Sequence, residues 1–268
     1  FMTGNSALRL YNCRNMDVNL HLGDEYITPF RPYAGLTIDT CTAVDLHSSR
    51  IACNARSVIC RAATEVHFNR STIKGWQAPS TGNGTGYGIH IGGGCGGIYS
   101  EFLTQIYHDI GCLVDTALTG TGNTQLFFGP YGTFDSNKSA ALYLNDNSAG
   151  NISKVVYLDA WFASSNVGSG VSVVTWRGGN IFATSGTFYN NTGNGLTLDE
   201  TQMNVYIGSS TNIGFNDAYG VGGASALTIY SDASPHDNAS GPYQSTISPV
   251  HNRVGVLRLS KNPTVAWS

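Results

Sequence analysis

Asp17 and Asp45 stand 28 residues apart, and His67 follows after a further 22, with Glu65 two residues before it. Paired carboxylates are the machinery of glycoside hydrolysis: about 5 Å apart they suit the retaining reaction, and a wider separation suits the inverting one. A histidine beside them exchanges protons near neutral pH. Sugar binding asks for flat apolar faces next to hydrogen-bonding groups, which half-wet aromatic residues supply. Trp161, with Tyr157 and Asp159 close by, is the first such candidate, followed by Trp176-Arg177 and Tyr131. Each of these aromatics has burial or a subunit contact as its alternative role. For Asp17, Asp45 and His67 the alternative is a solvated or subunit-facing polar ladder.

Residues so far apart act together only if the chain returns repeatedly to one place. A short pattern does recur: a small residue, then apolar, any, apolar. It reads Ala7-Leu8-Arg9-Leu10, Gly35-Leu36-Thr37-Ile38, Ser57-Val58-Ile59-Cys60 and Gly88-Ile89-His90-Ile91, and five more copies begin at Gly111, Ala141, Gly170, Gly195 and Ala226. The nine copies are spaced 22 to 31 residues apart. The first three also agree further on, where Leu8, Leu10, Cys13, Met16 and Val18 align with Leu36, Ile38, Cys41, Val44 and Leu46. Each unit thus holds at least two alternating strands, half of each facing inward. Such a unit cannot bury its apolar side alone. Stacked on the next at ~4.8 Å, it completes a backbone ladder and a continuous core. The pattern predicts an all-β parallel solenoid of about nine coils, with the small residues placed at tight corners.

In that stack Asp17, Asp45, His67 and, allowing one inserted residue, Tyr99 form one outward column. Loops are expected at 21–34 and 74–87. Four prolines in the last 34 residues place the end of the coils near residue 234, which divides the chain into a solenoid, 1–234, and a cap or extension, 235–268.

Composition narrows the function classes. Charged residues make up 12% of the chain, and the formal net charge of −3 carries no nucleic-acid footprint. No apolar run is long enough for a membrane-spanning helix, so membrane insertion is not expected. The six cysteines form no C-x-x-C pair, which argues for buried free thiols and against a structural zinc site. Gly92 to Gly97 satisfies G-x-G-x-x-G, but no helix follows it, so no cofactor is expected.

The strand-loop-strand repeat, with phrases such as Asn190-Asn191-Thr192-Gly193-Asn194-Gly195-Leu196-Thr197-Leu198, resembles the right-handed parallel β-helix of pectate-lyase-like proteins. Within that group it is most similar to the shaft of bacteriophage tailspikes and tail-fibre depolymerases. The resemblance implies a homotrimer of the virion tail, joined to other tail components, that binds and often cleaves a bacterial surface polysaccharide. Hydrolysis would engage Asp17 and Asp45, with His67 and Glu65 as modifiers. A lyase would use Arg14 or Arg61 against a uronate carboxylate and His67 as base. A non-catalytic fibre or adhesin and a free pectinase-like enzyme are the remaining alternatives.

Overall fold

Alternating apolar runs too short to bury a face by themselves find partners one coil away. The computed structural model describes residues 6–23, 34–53, 56–75, 86–92, 95–115, 124–146, 154–200, 202–224, 228–247 and 249–250. Among them all regular structure is β-strand and the strands pair in parallel. The protein is a parallel β-solenoid.

Its coils have three sides. The first side is a sheet of ten strands: Ser6–Tyr11, Ala34–Asp39, Arg56–Arg61, Tyr87–Gly92, Ile110–Asp115, Ala140–Asn145, Ser169–Thr175, Leu196–Leu198, Tyr219–Gly223 and Gly241–Tyr243. The second side begins with Arg14–Val18, Thr42–His47, Thr64–Asn69, Gly96–Glu101 and Thr124–Phe128. Two long strands, Lys154–Ser164 and Asn180–Tyr189, pass through the next corner and join this side to the short strands of the third, such as Thr104–Ile106 and Thr133–Asp135. Like residues stack in register: Leu36 on Val58, Val58 on Ile89, Ile89 on Cys112 and Cys112 on Leu142. These side chains, with Val66, Phe68, Ile98, Leu126 and their equivalents, form one continuous interior.

The ninth repeat copy differs from expectation. Thr228 and Ile229 belong to the strand Thr228–Ser231, which pairs with Asn204–Ile207 on the second side. The ninth first-side strand is Tyr219–Gly223, and its glycines hide the pattern. Gly241–Tyr243 then carries the first sheet past residue 234, with Pro242 on the outermost strand, where a missing N–H donor is tolerated. Of the loops expected at 21–34 and 74–87, His21–Leu22, Ala34, Lys74 and Tyr87 belong to strands, and residues 24–33 and 76–85 lie outside the described residues, as do Ala226, Leu227 and the tail from 251.

The small residues before the first-side strands have a different cause from the one expected. Gly35, Gly88, Gly111, Gly170 and Gly195 have ordinary φ. A Cβ on Gly88 would stand 2.4 Å from the Gly111 carbonyl oxygen, and one on Gly111 2.5 Å from that of Ala141. Close approach of neighbouring coils excludes side chains there. The corners are turned instead by single left-handed residues, mostly not glycine. Asn12, Thr40 and Ala62 do so at the first corner, Ser48, Arg70, Phe102, Tyr131 and Ala160 at the second, and Tyr107, Ser136, Ser165, Asn190, Phe215 and Asp237 at the third.

The residue after each third-corner turn is polar, and all but the last, Asn238, are buried. Asn137, Asn166, Asn191, Asn216 and Asn238 stack as a ladder in which each Oδ1 accepts from the backbone N–H of the previous coil. His108 heads the same column, its N–H donating to Asn137 Oδ1. Gln105 donates to His108 Nδ1, which leaves Nε2 to face Ser57 Oγ at 3.0 Å and the Cys53 carbonyl at 3.1 Å. Burial pushes the pKa of this imidazole down to about 4.

Candidate functional site

Backbone pairing turns the expected column into geometry. Asp17 is in register with Asp45, Asp45 with His67, and His67 with Tyr99. The column then continues through Phe127, Tyr157, Phe182, Tyr206 and Tyr230. From His67 to Tyr230 the seven rings stack with centroids 4.5 to 5.2 Å apart and planes within 16° of parallel. Each inner ring covers its neighbours' faces, so the ladder turns edges and tyrosine hydroxyls outward.

A hollow of about 380 Å³ opens at the acidic end, lined by Asn15, Met16, Asp17, Ala43, Val44, Asp45, Glu65 and His67. All four residues expected to be catalytic therefore share one depression. Three of its lining residues, Asn15, Ala43 and Glu65, hold φ near +50° to +55° within their strands rather than at a corner. The pairing skips each of them: Arg14 pairs with Thr42 and Met16 with Val44, then Thr42 with Thr64 and Val44 with Val66. The register is unbroken across them, so the left-handed residues stack from coil to coil as an aligned kink. Gly97 continues it at φ +67°, where a Cβ would meet the Tyr99 ring at 3.0 Å. His47 Nδ1 lies 2.5 Å from Asp17 Oδ1, a partner that sequence reasoning missed although it sits two residues beyond Asp45 on the same face.

A second hollow, about 330 Å³, lies along the ring ladder. Tyr99, Phe127 and Tyr157 line one side, and Glu101, Pro130, Asp159 and Thr184 the other. Asp159 Oδ1 accepts from the Thr184 and Ser185 hydroxyls. On the adjoining corner Tyr131 is 68% exposed and stacked by one face on Phe102, with Arg70 over the far ring. The next corner residue is Ala160, whose carbonyl accepts from the Tyr131 N–H and whose side chain has no ring to cover the other face. Tyr131 therefore offers what a sugar face requires.

Two expected platforms are corrected. Trp161 and Trp176 are 1% and 0% exposed, so neither indole has a face to offer; Trp161 packs among Phe128, Phe134 and Phe188. The physical reason for Trp161 is the corner at Ala160, φ +46°, which reverses the inward–outward alternation within Lys154–Ser164. Arg177 is exposed beside Glu200, Nε to Oε2 3.8 Å, and lines neither hollow.

The other reactive side chains are occupied elsewhere. Asp39 pairs with Arg9 and Asp115 with His90. All six cysteines are free thiols, and burial raises the pKa values of Cys60 and Cys112 and pushes that of Cys95 up to about 11. Among the described residues no three His, Cys, Asp or Glu side chains converge so as to hold a metal ion. Among the described residues there is no helix long and apolar enough to cross a membrane. No protein-family model, curated protein or solved structure matches the chain.

Proposed function

We propose that the protein is the receptor-binding rod of a bacteriophage tailspike or tail fibre, which holds a host surface polysaccharide along its second side and cleaves it in the acidic hollow. The observation that carries the reading is the convergence of Asp17, Asp45, Glu65 and His67 in one open depression at the end of an aromatic, acid-flanked groove. Asp17 and Asp45 sit one coil apart, about 5 Å, the spacing of a retaining pair. One carboxylate attacks the anomeric carbon as the other protonates the departing glycosidic oxygen, and water then releases the sugar with the roles of acid and base exchanged. Assembly as a homotrimer, attachment to other tail components and placement in the virion rest on the resemblance in repeat form.

The test is digestion of capsular and O-antigen polymers from a broad bacterial panel. Shortening of one polymer with new reducing ends, lost in Asp17→Asn and Asp45→Asn, is the expected result. Unsaturated ends would move the reaction to a lyase. The second reading, a non-catalytic fibre, draws support from the mutual covering of ring faces in the ladder; binding without shortening would establish it.

A further inference from the structure

Two hollows aligned along one column make a groove parallel to the rod axis, and its charge is one-sided. The second hollow has Glu101 and Asp159 on the wall opposite the rings. Its floor at Gly129 stays bare because a Cβ there would meet the Asp159 carbonyl oxygen at 2.5 Å. The first hollow adds Asp17, Asp45 and Glu65 on the preceding coils, joined to the second through the His67–Tyr99 stack. Five carboxylates thus line the two hollows, and no lysine or arginine is among the residues lining either. Arg70, on the corner beside Glu101, lies over the Phe102 ring, 5.6 Å from its centroid. His47 and His67 are the imidazoles beside these carboxylates, His47 on Asp17 and His67 in the wall of the first hollow.

We propose that this groove takes a glycan strand bearing protonated amino groups, an amino-polysaccharide, and rejects uronate polymers. The inference rests on the polysaccharide reading above and adds to it the charge of the substrate. With coils ~4.8 Å apart, and one coil (that of Gly129) between Glu101 and Asp159, neighbouring carboxylates lie within about one Debye length and act as a single field. Such a field attracts ammonium groups and repels a polyanion. The ring edges and the open face of Tyr131 supply apolar contact for the C–H surfaces of the sugars.

The experiment compares each polymer of the bacterial panel before and after chemical N-deacetylation, with polyuronates alongside, by calorimetry in mildly acidic buffer. Deacetylation is expected to tighten binding by about tenfold, the sum of a few exposed ion pairs, and the gain should vanish at high salt. The double variant Glu101→Gln, Asp159→Asn, which removes two of the five carboxylates, should lower the deacetylation gain from about tenfold to about fourfold. Acetylated or uronate polymers binding as tightly as the deacetylated form would overturn the charge assignment and leave the polysaccharide reading standing. A deacetylation gain undiminished in the double variant, with its circular dichroism unchanged, would overturn the groove as its source. Failure of every polymer in every form would remove the polysaccharide reading itself.

Discussion

Glu65 is an L-residue at φ +55° inside a strand, a conformation that costs roughly 1 kcal/mol or more and that glycine adopts freely. It faces the acidic hollow beside Asp45 and His67. Glu65→Gly should therefore stabilise the fold by about 1 kcal/mol, read as a rise in the urea midpoint, while lowering depolymerisation at the proposed site. A stabilised variant with full activity would make Glu65 irrelevant to that chemistry. His108 gives a second test, of pH. Its folded-state pKa, about 4, lies below the 6.5 of an exposed imidazole, so the unfolded chain takes up the proton first. Stability is complete above that exposed value and falls as the pH drops toward 4, by about 3 kcal/mol in all. His108→Asn, which puts the ladder's own residue at its head, should lose less between pH 7 and pH 5, by about 2 kcal/mol. Equal pH slopes for the two proteins would show that the imidazole is not the source.

The ladders are where elements gain or lose their register. Asn191 Oδ1 accepts from both the backbone N–H and the side-chain amide of Asn166. Asn191→Ala leaves those buried donors unpaired and should cost about 3 kcal/mol, seen as a lower melting temperature. Asn190→Ala, one residue earlier on the exposed turn, loses only its left-handed preference and should cost far less. Much of this element architecture is legible in the chain. Asp17, Asp45 and His67 could be aligned because the first three coils share one internal spacing. The rings beyond Tyr99 could not, because their intervals run 28, 30, 25, 24 and 24 residues, and insertions shift the register before alternation restores it. Trp161 escapes for a related reason: alternation from Tyr157 and Asp159 would turn it outward, and the corner at Ala160 turns it inward instead. The asparagine ladder looks from the chain alone like a set of turn residues. Only stacking makes its side chains internal.

Over the whole molecule each coil touches only the coils before and after it, so local stability should vary along the rod. Ser6–Tyr11 is the outer strand of the first sheet and is half-exposed, whereas Ile110–Asp115 is buried and flanked on both sides. Amide exchange should be at least about a hundredfold slower in Ile110–Asp115 than in Ser6–Tyr11. Uniform protection would mean that the solenoid opens as one unit. The same stacking has a mechanical side. The ladder hydrogen bonds point along the long axis, so a load applied between the chain ends falls on one terminal coil at a time. Under tension the rod should pay out chain like a spool, each coil releasing a length of about 90 Å before the next gives way. A force trace would then be a regular sawtooth, whose teeth count the coils.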